Sequence, residues 1–495
     1  MTRNQSHSAR LDLSAVARNA MIEAGFVPDV PASALAELHQ LEQDAHSANP
    51  SHSTRDLRNL TWSSIDNQQS RDLDQVEFAE ALPNGDIRVM VGIADVDALV
   101  QKRGAIDDHA EENATSVYTG FKTFAMLPEQ LSTDMTSLVR DADRASIVVA
   151  LIVDSDGQAK TEAVYSALLH NYAKLSYESV AAWLDDDAST PTEFAGVAGL
   201  EDQLRLQLEV AGRLRKLRKQ RGALELDTIQ TTPVLDDAGQ VASLGVSARN
   251  SATDIIENLM IATNVAIAQF LEAKKLPSIR RIVRTPKQWP RIVELARDLG
   301  EKLPSEPNSL ALAEFIARRK QADPLHFQDL SLSIVKLLGP GEYVVQTATG
   351  QSEGHFGLAV SDYTHSTAPN RRYADLITQR LLKASIAGSA SPYDEKELAE
   401  IAEHCTERED AARKVERKMR KVAAALLLEN RIGDQFDAIV TGVTPRGTFA
   451  RTLNPPVDGL IARGEQGLRV GDKIRVKLLS TDPARGYIDF ARNAF

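Results

Sequence analysis

Residues 61–97, TWSSIDNQQSRDLDQVEFAEALPNGDIRVMVGIADVD, constrain the chain more than any other stretch. Three carboxylates, Asp66, Asp72 and Asp74, fall within nine positions of low apolar content. A strand-like alternation of Ile87, Val89, Val91 and Ile93 follows and ends at Asp95. On an extended backbone Asp72 and Asp74 point the same way, because side chains alternate between faces. Asp66 joins them if NQQSR loops out. Crowded carboxylates raise one another's pKa unless a cation sits between them. Hard ions such as Mg²⁺ take oxygen ligands of this kind, usually together with substrate phosphates. A solvated acidic loop ahead of a strand is the alternative reading of the same spacing.

Composition sets the context for that segment. A length of 495 residues implies several domains, three or four by the usual size of a domain. The single cysteine, Cys405, rules out an internal disulfide framework and suits a reducing compartment. No apolar run reaches the roughly 18–20 residues of a membrane span. The first residues, MTRNQSHSARLDLS, lack the apolar core of a signal peptide. A cytoplasmic protein with no membrane association is expected. Net charge of −12 argues against wholesale coating of nucleic acid, but the field that matters is local. Residues 213–221, RLRKLRKQR, hold six cations in nine positions, and residues 407–421 include ARKVERKMRK. Arg280, Arg281, Arg284, Arg371 and Arg372 add further cations. One such run reads as a solvated helix face; several in an acidic chain point to a phosphate-lined path.

Periodicity divides the chain into three parts, an α/β multidomain arrangement. Residues 1–56 hold two short helices, 11–24 and 31–45, and a polar linker, 46–56. They read as a small helical domain, a helical cap more than a helix-turn-helix, since nothing basic marks a recognition helix. Residues 57–430 show no clean break. Strands are expected at 87–93 and 146–153, and helices at 201–221, 255–275, 289–299, 310–320, 373–386 and 394–430. This is a large mixed α/β domain. Residues 431–495 change to short alternating strands between Gly and Pro turns, the pattern of a five-stranded OB β-barrel.

The segment YTHSTAPNRRYADLITQRLL, residues 363–382, places the guanidinium forks of Arg371 and Arg372 at the head of a helix. Planar forks and helix starts both suit phosphate. The blocks IDNQQSRDLD, GIADVDALV, TSVYTGFKTFAMLPEQLS, ENLMIATN and YTHSTAPNRRYADL, in this order, resemble the catalytic RNB domain of the RNase II family of exoribonucleases. The resemblance covers about residues 57–430, with the barrel after it. It implies processive hydrolysis of single-stranded RNA from the 3′ end, releasing nucleoside 5′-monophosphates with Mg²⁺. By the same resemblance Asp66, Asp72 and Asp74 hold metal and scissile phosphate, and Asp74 is the group on which cleavage most depends. Arg371 matches the arginine that clamps the phosphate, with Arg372 beside it, and Tyr118 the tyrosine that stacks on the terminal base. Tyr177 and Glu257 match residues near the last nucleotides, and Glu416 a glutamate of the RNA channel.

Two departures from that family stand out. The family usually has a fourth aspartate directly after Asp74, where this chain has Gln75, a neutral oxygen ligand at best. Its members commonly carry cold-shock-type OB domains ahead of the catalytic domain, which some fifty helical residues cannot supply. The C-terminal barrel resembles the OB-fold domain first named in ribosomal protein S-one. Phe436 and Phe449 are its stacking candidates, with buried aromatic core as the rival reading for either, and Arg446, Arg451 and Lys477 are placed on the RNA backbone. There is no G-x-x-x-x-G-K-[ST] loop, hence no nucleotide cofactor, and no Cys/His cluster for zinc. His355 and His365 flank the arginine segment; either could be a proton relay, and a hydrogen-bonded structural role is the preferred reading. One barrel and no lysine-rich tail favour RNase II proper over the RNase R branch, which also degrades structured RNA. A non-catalytic RNA clamp is the rival from another class. Nothing requires an oligomer, so a monomer is expected.

Overall fold

The computed structural model describes residues 12–45, 54–185, 190–227, 231–236, 239–246, 249–324, 326–348, 350 and 353–493. Residues 46–53 of the expected linker 46–56 lie outside them, and within its remainder Arg55–Asp56 form a short strand. Helices α1 (Leu13–Glu23) and α2 (Ala32–Ala45) open the fold. A sheet follows, built from β1 (Arg55–Asp56), β2 (Trp62–Asp66), β3 (Gln75–Ala81) and β4 (Ile87–Ala94). Helix α3 (Ala105–Asn113) leads to a small hairpin, β5 (Val117–Tyr118) with β6 (Thr123–Phe124). Strands β7 (Asp143–Val153) and β8 (Ala159–Ser176) complete the sheet, in the order β1-β8-β2-β3-β4-β7, with β7 also paired to β8.

That extra pairing curls the sheet into a ring. The 18-residue β8 pairs antiparallel with β7 over Ala159–His170 and then parallel with β2 over Asn171–Ser176. The ends of β2 and β8 and the start of β3 therefore meet on one rim. Trp62 stands inside, fully buried, its indole N–H donating to the Leu57 carbonyl and its ring 6.0 Å from Phe78. On the other face, Ile87, Val89, Val91 and Ile93 are all buried, as their alternation predicts.

Helices cover the sheet. In chain order they are α4 (Tyr177–Asp185), α5 (Leu200–Gln220), then after hairpin β9 (Thr231–Leu235) and β10 (Val241–Val246) the helix α6 (Ser251–Ala273). Strand β11 (Ser278–Ile282), helices α7 (Trp289–Asp298), α8 (Ser309–Ala322) and α9 (Phe327–Leu338), and strand β12 (Glu342–Gln346) come next. Then α10 (Tyr373–Ala387) and the 34-residue α11 (Glu395–Leu428) reach the barrel. Helix α6 is the one described helix long and apolar enough to cross a membrane, and it is largely buried in the core. The barrel closes as β13 (Gln435–Thr444), β14 (Gly447–Thr452), β15 (Asp458–Arg463), β17 (Tyr487–Arg492) and β16 (Lys473–Asp482), as expected.

The N-terminal helices are present as expected, and α1 packs on the rest of the chain: Leu13, Ala17 and Met21 share one core with Val117, Phe124, Ala412, Val415 and Met419. Helix α2 likewise packs Ala34 and Leu38 into the main core. Phe436, proposed for stacking, is 4% exposed inside the barrel against Phe490, so it is core. Phe449 is half-buried on the outer face of β14, where stacking is open to it.

His355 and His365 are structural, as read. The hydroxyl of Tyr343 lies 2.7 Å from Nδ1 of His365, and the backbone N–H of Leu358 donates to Nδ1 of His355. Burial, reinforced by Arg281, pushes His355 down to about 4, and burial also pushes His365 well down, with Arg372 adding to it. Unfolded, both return to about 6.5 and bind protons that the fold excludes. Their contribution to stability is present above about pH 6.5 and is lost as pH falls toward 4. Replacing His355 with Asn should therefore remove about 3 kcal/mol from the stability difference between pH 7 and pH 4. Urea titrations of both proteins at the two pH values read this directly, and an equal drop in both would refute it. Separately, Trp62→Ala should cost about 3–5 kcal/mol in the same assay; a loss under about 1 kcal/mol would mean that the ring does not pack as described.

Candidate active site

The acidic segment does not run as an extended strand. Residues 67–74 leave β2, turn, and enter β3 only at Gln75. Side chains from elsewhere hold this loop in place. Nζ of Lys174, on β8, donates to the carbonyls of Gln68 and Ser70. The N–H of Leu73 donates to Oγ of Ser137, which donates to the carbonyl of Arg71. The N–H of Leu138 reaches the Leu73 carbonyl, and the N–H of Ala94 reaches the Asp74 carbonyl, both at 2.9 Å. With Leu73 buried between them, Asp72 and Asp74 emerge on one side, as expected, though through a fixed loop and not through strand alternation.

Asp74 is the most enclosed of the three, its side chain 2% exposed. Oδ1 accepts the backbone N–H of Asn370 at 2.9 Å and Oδ2 accepts Nε–H of Arg371 at 3.1 Å. Burial pushes this carboxyl up to about 7, against the pull of Arg371 and the Asn370 N–H. Arg371 is 41% exposed, and no protein acceptor among the described residues holds its two Nη groups. The fork is anchored at one edge and open at the other.

Asp72 accepts the hydroxyl of Tyr118 on Oδ2 at 2.9 Å. The Tyr118 ring is 42% exposed, and its backbone N–H donates to Oε1 of Glu416 at 3.1 Å. The strand carrying Tyr118 is fastened to the arginine segment, since the N–H of Ser116 donates to the Arg371 carbonyl at 3.0 Å. A cavity of about 230 Å³ opens here, lined by Ser116, Tyr118, Tyr343, Arg371, Arg413 and Glu416 among others.

Asp66 sits at the end of β2, level with Ser176, and its Oδ1 accepts the Asn67 N–H and the Ser70 hydroxyl, each at 2.7 Å. Burial raises its pKa; the Asp72 carboxylate adds to this, while Arg371 opposes it. Tyr177 begins α4 directly after Ser176, and its phenol is kept un-ionised by burial and by the carboxyls of Asp66 and Glu77. Of the four groups expected to converge, Asp74 is bonded to Arg371, and the charges of Arg371 and Asp72 act on Asp66.

Other candidates fall differently. Glu257, on α6, is not bonded to the trio; its carboxylate is held by Arg249 at 2.7 Å and Arg218 at 3.6 Å. Arg372 directs Nη2 at the buried Asp375, 2.7 Å away, and lines the cavity beside Tyr118 and Arg371. In the basic run 213–221, Arg213 pairs with Glu209, Arg215 with Glu225 and Asp254, and Lys219 with Glu225. Much of that run is paired helix face. On the barrel, Arg451 is engaged by Asp329 and Asp458. Sequence reasoning missed Asn370 and Asp375, both inside the NRRYAD block it had singled out, and Lys174, which carries no local signal.

A divalent ion fits this arrangement in a particular way. Among the described residues no three His, Cys, Asp or Glu side chains form a ready-made cage. Mg²⁺ rarely needs one, because it binds through one or two carboxylates plus substrate phosphates. Among the described residues no protein donor reaches Oδ2 of Asp66 or Oδ1 of Asp72 and no protein group bonds the amide of Gln75, whereas both oxygens of Asp74 are engaged.

Comparison with known proteins agrees with this layout. Residues 54–388 match the RNB domain and residues 434–493 the RNase II-type exonuclease C-terminal S1 domain. Ribonuclease R of Thermotoga maritima is 29% identical over 468 residues, 88% of this chain and 64% of that protein. Ribonuclease R of Escherichia coli K12 is 28% identical over 475 residues, 88% of this chain and 57% of that protein. The chain thus spans between about half and two thirds of the length of these curated relatives. They bear the name of the branch that the sequence reading ranked second. Mycoplasma genitalium RNase R, solved with ribose-methylated single-stranded RNA, superposes with a TM-score of 0.86 at 23% identity, over 97% of this chain and 78% of that one. Yeast Ssd1, described as a pseudonuclease, shares the fold with a TM-score of 0.67 at 16% identity over 90% of this chain and 55% of that one. With the RNB match spanning more than half of its residues, over the segment that folds the acidic loop onto Arg371, the chain belongs to the RNB-domain, RNase II-type family.

Proposed function

We propose that the chain is a hydrolytic, processive 3′-to-5′ exoribonuclease that threads single-stranded RNA, releases nucleoside 5′-monophosphates and uses Mg²⁺. The observation that carries this reading is the buried Asp74 carboxyl locked to one edge of the Arg371 guanidinium, whose other edge is open. Arg371 then binds the scissile phosphate and offsets charge that develops in the transition state. Asp74, pushed up to about 7, is suited to take the proton of an attacking water at a carboxylate oxygen. Tyr118 presents its ring to the terminal base while Asp72 fixes its hydroxyl. Mg²⁺, when bound through Asp66, Asp72 and Gln75, supplies Lewis-acid charge and an activated water. Contact with the ribose 2′-hydroxyl is what distinguishes RNA from DNA in such a site. The outer face of the barrel, with Phe449, Arg446 and Lys477 exposed or half-exposed, would guide the incoming strand. The one buried thiol, Cys405, fits a cytoplasmic enzyme. A monomer suffices for this reading, since every residue it uses comes from one chain. The names of the relatives favour the RNase R branch, so activity on hairpins is the finer question.

One assay addresses both points: release of monophosphates from paired single-stranded and hairpin RNAs bearing a 3′ extension, with and without Mg²⁺. RNA binding without any release would support a non-catalytic clamp. Asp74→Asn is expected to lower the rate by at least about 10²-fold, through loss of the proton acceptor, with RNA affinity by fluorescence anisotropy retained. Retained cleavage would remove Asp74 from the mechanism. Tyr118→Ala is expected to change the length of the limit product more than the rate, since it removes a stacking surface and no proton acceptor. Gel analysis that shows an unchanged limit product would refute that role.

A further inference from the structure

Gln75 leaves the acidic site short of a charge, and the same strand places one two residues on. Side chains two apart on a strand share a face. Glu77 therefore projects from the same face of β3 as Gln75, opposite Val91 on β4 and Ser63 on β2. It is fully buried, and neither of its carboxyl oxygens has a hydrogen-bond partner. The hydroxyl of Ser63, directly across, is also buried and unpartnered. Asp66 ends β2 three residues beyond Ser63, and Tyr177 directly follows Ser176, the β8 residue paired with Asp66. Gln75, 7% exposed, has no protein partner for its amide either.

Buried polar groups are nearly always paired, and a buried carboxylate without a partner is costly. Here Glu77 and Ser63, on facing strands, lack partners among the described residues, and Asp66 keeps Oδ2 without a described protein donor. Nearby Lys174 spends its ammonium on the Gln68 and Ser70 carbonyls. The vacant valence is that of a cation bound by oxygens.

We propose that Glu77 supplies the carboxylate that position 75 lacks, so that Asp66 and Glu77, with Gln75 as a neutral oxygen ligand, hold a divalent ion at the rim of the sheet. This rests on the nuclease reading of the site and deepens it. It makes Gln75 a displacement of the charge by one turn of the strand pleat and not its loss, and it assigns Glu77 a metal-positioning role.

Mn²⁺ serves as the probe, because free ion is read by electron paramagnetic resonance without any turnover. The full chain is titrated with Mn²⁺ in the presence of adenosine 5′-monophosphate, and fold is checked by circular dichroism. Glu77→Gln, which keeps shape and removes charge, is expected to weaken Mn²⁺ binding about tenfold or more, comparably to Asp66→Asn. The double variant Gln75→Asp, Glu77→Val, which returns the carboxylate to position 75, is expected to bind Mn²⁺ within about threefold of the parent, as equal charge among the ligands implies. Parent-like affinity in folded Glu77→Gln would overturn the proposal, and so would failure of the folded double variant to bind. Should Glu77→Gln not fold, the double variant alone decides. If the parent releases monophosphates while Glu77→Gln binds Mn²⁺ unchanged, only this inference fails. If the parent releases none while Glu77→Gln still loses the ion, the nuclease reading fails and the ion site stands.

Discussion

The arrangement of the site depends on two carboxylates that are buried with their partners. Asp74 and Asp375 bracket the loop at 366–372, and each accepts a backbone N–H from it: Asn370 to Asp74, Ala368 to Asp375. Each also takes one guanidinium of the Arg371–Arg372 pair. A buried carboxylate stripped of such partners costs several kcal/mol, so the loop has little freedom to adopt another shape. The consecutive arginines are thereby forced apart, one toward the acidic loop and one away from it. The loop also delivers the chain into α10, whose first turn lies beside Asp74, and helix starts favour negative charge. Geometry that looks like a property of Arg371 is a property of the two aspartates behind it.

Such interactions explain what could be read along the chain and what could not. Long helices carry their own period, so α5, α6, α7, α8, α10 and α11 were legible to within a few residues, and so was the barrel. Strand β8 was not, because its two halves serve different neighbours. AKTEAVYSAL pairs with β7 and NYAKLS with β2, and the alternation of buried and half-buried residues starts only at Ala167, leaving the first eight of its 18 residues without one. The pair β11 and β12 joins segments some sixty residues apart, and neither strand shows its partner in its own composition. The site follows the same division. Asp66, Asp72, Asp74 and Arg371 were named by local blocks, and the structure brings them together. The partners of the basic run 213–221 were invisible, since Glu225, Asp254 and Gln158 reach it only after folding. Phe436 and Phe449 could not be told apart by spacing, because which of them faces inward depends on the bulge between Val440 and Gly442 and on the register of β13 with β14.

The N-terminal helices show why a short segment can matter through its contacts. Helix α1 lies on α11 and on the hairpin that carries Tyr118, through contacts of Leu13, Ala17 and Met21 with Val117, Phe124 and Val415. A side-chain bridge between Asn113 and the backbone of Val27 adds a polar tie at the end of α3. Apolar burial of this kind is worth about 1.5–3 kcal/mol per large side chain. Most of that gain is shared with the hairpin, so the helices brace the ring of Tyr118 from behind. Their place in the chain is where related proteins were expected to carry barrels, and their contacts give them a structural task there instead.

The step length of the proposed reaction follows from the same rigidity. Tyr118 is tied to Asp72 through its hydroxyl, to Glu416 through its N–H, and to the arginine segment through Ser116. Arg371 is tied to Asp74. On the proposed reading, the surface offered to the terminal base and the fork offered to the phosphate are thus parts of one hydrogen-bonded unit. A strand that seats its last base on Tyr118 must then present the same phosphodiester to Arg371 at each cycle. A fixed distance between stacking surface and phosphate clamp yields products of constant size, and it requires the whole strand to advance before the next bond can be cut. Processive release of single nucleotides therefore needs no moving part at the site itself, only a path that lets the strand slide.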